Sequence, residues 1–478
     1  MTPSHRSPSS SPTNLYSDRP DATHPSASPA SASEPAPARL TRAEKIDAAT
    51  PANRNRVVDL LRALAITVVV LGHWTIIAVD ADGGLQPHGV LDGARWTHPL
   101  TWVFQVMPIF FLVGGYSNAL SWRSARRKDT TYASWLRARL RRLGIPLVPV
   151  LITWLVICAV ALAAGADAET VRLASQMALI PTWFLASYLL VIMVAPPLLV
   201  VWERIGWWSV LIGIALASAV DFASIALHVP VVGFANYLLV WAAFHQIGFA
   251  WLDGHLTGAG RRVLLATIGA AGLAVLVGLG PYPVSMITAG GDAISNSNPT
   301  RVTMAFLGLL QAGLVLLLEK PLAQLMTRPR LWMAAVVVNM RIMSWFLWHL
   351  TAMVGTAHLL LALAGRISAL RVLLPEPLSG PWWASRPLWC LTLIGVTLLF
   401  VAVMGRFETV PADERPSPPV WQPILAAVLT VAGLAVLASV GMVTTTGHGL
   451  GALAWWWAAL PIIGIAGCGI IDWGRGRR

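Results

Sequence analysis

The sequence predicts an all-α fold, a polytopic bundle of transmembrane helices with about 12 spans. Three observations carry this expectation. Hydrophobic residues make up 56% of the 478 positions and charged residues only 12%, about half the charged share of an ordinary soluble domain. Mean hydropathy is +0.65. The apolar residues also come in runs of about 20, the length of helix that crosses a hydrocarbon core. A net charge of +12 would suggest nucleic acid in a soluble chain. Here it points to basic loops on the cytoplasmic side of a lipid bilayer, and no nucleic-acid partner is expected. Cys158, Cys390 and Cys468 lie in apolar segments without ligand spacing, so no metal is expected.

Residues 1–53 are rich in Pro, Ser and Ala with few large apolar side chains. They cannot bury enough surface to fold and are expected to form a disordered cytoplasmic tail. They hold no apolar signal segment, so the first span is expected to direct insertion. A membrane domain is predicted over 54–406, with apolar segments at 60–79, 99–122, 144–164, 179–201, 206–227, 231–252, 262–280, 301–318, 332–362 and 386–405. The ninth is long enough to tilt or to extend beyond the membrane. A cytoplasmic linker, 407–420, leads to two further spans at 421–443 and 453–472 and a basic end at 478.

Charge supports the count. With both termini in the cytoplasm of a plasma-membrane protein and the five basic residues of the distal tail set aside, 23 Lys and Arg fall inside and six outside. The six are Arg95, Arg172, Arg301, Arg366, Arg371 and Arg386. The densest inner block runs from Arg123 to Arg142. Trp207-Trp208, Trp382-Trp383 and Trp455-Trp456-Trp457 sit at or near segment ends, where indoles favour the headgroup layer.

Within the first span, Arg62 and His73 are eleven residues apart. Eleven steps of about 100° bring both to one helix face, with about 16 Å of rise between them. Asp59 shares that face. An arginine at a helix start is ordinarily an orientation signal, but an imidazole deep in a membrane is costly and marks a functional site by default. His349, in Trp348-His349 of the ninth span, is a second intramembrane histidine, and Arg341 precedes it by eight residues. Gly114-Gly115-Tyr116-Ser117-Asn118 offers either a small-residue packing face or a place where a ligand approaches closely. Arg137-Ala138-Arg139-Leu140-Arg141-Arg142 offers guanidinium forks at the inner mouth, suited to lipid headgroups or a phosphorylated ligand.

Taken together these motifs resemble the acyltransferase-3 family of multi-pass membrane acyltransferases. Arg62 and His73 match its first-span motif of a basic residue, ten residues and a histidine, with Asp59 just upstream. Phe110–Tyr116, Arg139-Leu140-Arg141-Arg142 with Pro146, Pro181–Tyr188 and Trp348-His349 match later motifs in order. The resemblance covers roughly residues 55–405. Gly114-Gly115 stands where the family reads Ser-Gly, with Ser117 one turn away. The last two spans lie beyond the usual ten-helix core.

What the resemblance implies is an O-acyltransferase with no permanently bound cofactor. Acyl-coenzyme A, acetyl-coenzyme A in the simplest case, would be the donor substrate. A hydroxyl of a sugar, glycolipid or small glycosylated metabolite would be the acceptor. In that chemistry His73 is the expected general base, and His349 is expected to position acceptor or thioester. Arg62, Asp59, Arg139, Arg142, Ser117, Asn118 and Arg341 are expected around the donor. The alternative is a proton-coupled transporter or lipid flippase using His73 and His349 as a relay, for which Asp221 is the one clear intramembrane carboxylate in the sequence.

Overall fold

A computed structural model of the protein describes residues 40–80, 84–87, 89–411, 413, 415–447 and 449–470. Thr41 and Glu44 form a reciprocal capping box that opens α1 (Arg42–Ala48), satisfying donors that a helix start leaves free. This helix corrects the reading of 1–53 as one unfolded tail, of which 1–39 lie outside the described residues. The segment folds because other elements supply its core. Ile46 packs on Leu60, Met326 and Trp332, Arg56 pairs with Asp47 at 2.5 Å, and the Trp332 indole donates to Thr50 Oγ1 at 2.8 Å.

Asn55 caps α2 (Arg56–Ile76), its side-chain oxygen accepting from the amides of Val57 and Val58. A short antiparallel hairpin follows, β1 (Ala78–Asp80) against β2 (Gly84–Gln86), with Ala78 opposite Gln86. Next come α3 (Gly89–Gly93), α4 (Thr101–Phe104), α5 (Met107–Arg126), α6 (Tyr132–Gly144), α7 (Leu147–Ala163) and α8 (Ala168–Leu179). The middle of the chain supplies α9 (Pro181–Ile205), α10 (Trp207–Ile225), α11 (Asn236–Leu252), α12 (Ala259–Gly278), α13 (Val302–Leu317) and α14 (Glu319–Leu325). The last group is α15 (Pro329–Met340), α16 (Ile342–Arg366), α17 (Gly380–Met404), α18 (Trp421–Val440) and α19 (Trp455–Ile462).

The architecture is an all-α membrane bundle. Among the described residues eight helices are long and apolar enough to cross a membrane, or up to ten if α6–α7, bent by 42°, and α13–α14, bent by 55°, each count as one span. The expectation was about 12. The difference has local causes. Helix α11 has only 17 residues. Helix α19 stops after eight and passes into a π-helical turn at Ile463–Gly467. The predicted ninth segment breaks at Arg341 into two helices, but α16 alone still counts as a span, so this break leaves the number unchanged.

Helices α5 and α11 form the centre and approach to backbone contact. A Cβ at Gly115 would overlap the His245 carbonyl oxygen, and one at Gly248 would overlap the Leu112 carbonyl oxygen. The glycine pair in α5 is therefore a packing feature. Helix α2 runs parallel to α15–α16. Asn339 donates to the Asp59 carbonyl at 2.8 Å, and further along both helices His73 meets His349.

Helix α16 has no cap of its own sequence. The Glu408 carboxylate supplies one, accepting from the amides of Met343 at 2.9 Å and Ser344 at 3.2 Å and from the Ser344 hydroxyl at 2.7 Å. At the same break Arg341 donates to the Gly405 carbonyl. Its guanidinium braces the start of α16 against the end of α17.

The segment before α18 crosses α6. Asp413 pairs with Arg137 at 2.8 Å, Arg141 at 3.2 Å and Arg415 at 2.8 Å. Arg137 also donates to the Pro416 carbonyl, and Arg415 to the Gly469 carbonyl. Burial pushes the Asp413 carboxyl up, but hydrogen bonds from Arg415 and the charges of Arg137 and Arg141 outweigh it and hold the group well below the ordinary carboxylate range. Asp221, the carboxylate a proton relay would use, accepts from Asn236, Tyr282, Arg301 and the Val302 amide at 2.8–3.1 Å. It is a buried joint between α10, α11 and α13.

Candidate functional site

The two sides of α2 differ in exposure. Leu64, Thr67 and Leu71 form its exposed stripe. Arg62, Val69 and His73 lie within about 40° of one another on the opposite side, the side that faces the bundle. These three keep partial exposure, so the inner face of α2 borders a recess inside the protein. Its two polar ends are Arg62 and His73.

At the histidine end, His73 Nδ1 lies 2.8 Å from His349 Nε2, with the ring planes 9° apart. His349 Nδ1 is 2.7 Å from the Phe346 carbonyl oxygen. A carbonyl only accepts, so His349 Nδ1 carries a proton. In a neutral ring its Nε2 is then an acceptor, and His73 Nδ1 must be the donor to it. This order leaves the lone pair on His73 Nε2. Trp74 fixes the backbone on the same side, its indole donating to the His349 carbonyl at 3.1 Å. His349 is fully buried while His73 is not. His73 lies in the last turn of α2, 17 residues from its start, and His349 lies seven residues from the start of α16, about 26 Å and about 10 Å along their helices.

At the other end, Arg62 donates to Ser117 Oγ at 2.7 Å and lies 3.6 Å from Asp59. Arg54 holds the other Asp59 oxygen at 2.7 Å. Helix α6 sorts its arginines by face. Arg137 and Arg141 turn to Asp413. Arg139 and Arg142 come within range of the Arg62 charge, with Tyr188 in reach of Arg62 and Arg139. Among the described residues neither Arg139 nor Arg142 has an ion-pair partner. Arg139 stacks on Trp135 with 5.3 Å to the ring centroid. The result is a cluster of guanidinium groups with Asp59 as its counter-charge, suited to a polyanion.

A wall of rings joins the two ends. Tyr188 stacks on Phe184 at 5.8 Å, Phe184 meets Phe346 edge-on at 5.3 Å, and Phe346 lies 6.2 Å from His349. Phe110 closes on Phe184 at 4.7 Å. Gly114 makes room for this wall, since a Cβ there would sit 2.9 Å from the Tyr188 ring.

The structure thus gathers Asp59, Arg62, Ser117, Arg139 and Arg142 at one end and His73 with His349 at the other. Two expected site residues are buried. Asn118 turns into the α5–α11 contact, buried, with its amide 3.0 Å from His245 Nε2. His349 has both ring nitrogens engaged, one with His73 and one with the Phe346 carbonyl, and no exposure. Phe110, Phe184 and Tyr188 lie in motifs matched in sequence, but neither they nor Phe346 were given a site role. In the structure Phe110 and Tyr188 keep partial exposure, whereas Phe184 and Phe346 are buried. Among the described residues no group of three or more His, Cys, Asp or Glu is placed to hold a metal.

A bundle of membrane helices thus holds a histidine pair and an arginine cluster about three helical turns apart along α2. The chain belongs to the acyltransferase-3 family, whose model, described as an acyltransferase domain, matches residues 55–405. The matched region begins at the Asn55 cap of α2 and ends at Gly405, the residue that Arg341 holds. Comparison with curated proteins and with solved structures found no match.

Proposed function

We propose that this multi-pass membrane acyltransferase is an O-acyltransferase of the plasma membrane. It takes an acyl group, acetyl in the simplest case, from acyl-coenzyme A and passes it to a hydroxyl of a carbohydrate, glycolipid or small glycosylated metabolite. The observation that carries the reading is the run of hydrogen bonds from the Phe346 carbonyl through His349 to His73, which leaves a lone pair on His73 Nε2. The arginine-rich end is the cytoplasmic end, as basic loops require, and the donor enters there.

The donor's phosphates meet Arg62, Arg139 and Arg142, where charge-assisted forks match phosphate oxygens. Ser117 and Asp59 keep the Arg62 guanidinium in place. The pantetheine arm lies along the wall from Tyr188 to Phe346, and the rise of about 16 Å from Arg62 to His73 suits an extended arm. The thioester carbonyl then lies beside His73.

His73 Nε2 accepts the proton of the acceptor hydroxyl as its oxygen attacks the thioester carbonyl carbon. The tetrahedral intermediate breaks its C–S bond, and the proton passes from His73 to the leaving coenzyme A sulfur. The products are an ester and free thiol. His349 shares the charge that forms on His73 through their hydrogen bond and fixes the ring's tautomer, so it is a positioning residue. The test uses purified wild type and His73→Ala in nanodiscs, titrated with acetyl-coenzyme A. Both should bind donor, and only wild type should consume the thioester. Wild-type turnover by His73→Ala would overturn the assignment.

A further inference from the structure

The first turns of α17 hold a second polar site that acyl transfer does not use. Trp382, Arg386, Trp389 and Leu393 share one face of α17, a stripe about 60° wide. This face turns inward. Trp382 is buried among Ala78, Val90 and Leu378, and Leu393 is fully buried. Leu388 and Leu391, on the opposite face, are exposed. The Arg386 guanidinium lies 4.1 Å from the Trp382 ring centroid and 5.5 Å from that of Trp389.

Four donors on these three side chains are buried without an acceptor: Arg386 Nε and Nη1, Trp382 Nε1 and Trp389 Nε1. Among the described residues no carboxylate lies within ion-pair distance of Arg386. The indole faces attract the cation, but they accept none of its in-plane protons, and buried polar groups in native proteins are ordinarily paired. The unpaired N–H donors of the Arg386 guanidinium are of the kind that a phosphate's acceptor oxygens take. The neighbourhood suits an amphiphile. Leu388 and Leu391 present an apolar outer face, and Trp383 meets Trp96 at 6.0 Å, a pair typical of the headgroup layer. Phe400 of the same helix stacks on Trp348, the neighbour of His349. Arg386 is 14 residues from Phe400, so it lies about 21 Å along α17 from the histidine level, away from the arginine-rich end.

We infer that Trp382, Arg386 and Trp389 form an oxyanion site that holds the phosphate of an amphiphilic lipid at the end of the bundle opposite the donor arginines. The inference does not rest on acyl transfer, and binding is read without turnover.

The test is thermal unfolding of the full-length protein in a neutral detergent, titrated with dioctanoyl phosphatidylglycerol or with inorganic phosphate at matched ionic strength. The lipid should raise the wild-type midpoint saturably, and Arg386→Gln should bind it at least about tenfold more weakly, as loss of charge-assisted hydrogen bonds requires. Trp389→Phe, which keeps a ring and removes one N–H, should fall between them, and it serves alone if Arg386→Gln does not fold. A response to the lipid but not to inorganic phosphate supports a headgroup as the source. An equal response to inorganic phosphate keeps the oxyanion site and overturns the lipid. Equal lipid responses in wild type and variants overturn the proposal.

Discussion

His73 donates its Nδ1 proton to Nε2 of His349 across 2.8 Å, in rings 9° from coplanar. The direction of that bond is set three residues away in sequence from His349, by the Phe346 carbonyl. The reactive nitrogen of His73 is therefore decided by a backbone oxygen on another helix.

Replacing His73 with alanine should lower acyl transfer by about a hundredfold to ten-thousandfold, the worth of a positioned general base. Donor affinity should stay near wild type, because Arg62 and Arg139 are untouched. Steady-state rates together with acetyl-coenzyme A binding check this.

His349→Phe keeps a buried ring and removes the acceptor of the His73 proton. Its kcat should fall by about a hundredfold with little change in KM, since tautomer and charge sharing matter only as the reaction proceeds. A variant that changed KM alone would place His349 at substrate instead.

Arg62→Ala or Arg139→Ala should raise KM for acetyl-coenzyme A by about tenfold or more, with a smaller effect on kcat. Acetyl-pantetheine, which lacks the donor's phosphates, should be used equally by variant and wild type. A persistent difference with that truncated donor would remove the phosphate role.

Gly115→Ala forces a methyl group against the His245 carbonyl, a backbone atom that cannot swing away. Overpacking of this kind costs about 1–3 kcal/mol, and it should appear as a lower thermal midpoint in detergent. Gly355, around which there is open space, is the control position for the same substitution.

Asp413 has a lowered carboxyl value in the folded chain, so its contribution to stability is complete above the unfolded value of about 3.9. It is lost as pH falls from there through the folded value. Asp413→Asn should be less stable than wild type at neutral pH, and the difference should shrink in strong acid. Thermal midpoints of both proteins across that range check the sign.

Much of the site was legible in the chain because helix geometry is local. The spacing of Asp59, Arg62 and His73 fixes one face of α2 without any knowledge of its neighbours, and the composition fixes a membrane bundle. Ser117 was legible for the same reason, as a hydroxyl one turn from the glycine pair. Asn118, its neighbour, was misplaced because one step of about 100° along a helix separates a side chain in the recess from one against His245. The brace that Arg341 forms was not legible, because its sequence does not show that the ninth apolar segment breaks there and takes its cap from Glu408.

By itself the sequence determined which residues share a helix face, which segments are apolar enough to enter a membrane, and which side carries the arginines. Those are properties of single helices and of transfer from water to hydrocarbon, and both act within a few turns of chain. Only the tertiary structure decided that His349 meets His73, that Asp413 claims Arg137 and Arg141 and leaves Arg139 and Arg142 within range of Arg62, and that Arg386 lies between two indoles. Each of these depends on how helices far apart in the chain pack side by side. Hydrogen bonds and charges reach only a few ångströms, so they exist only after that packing has placed their partners.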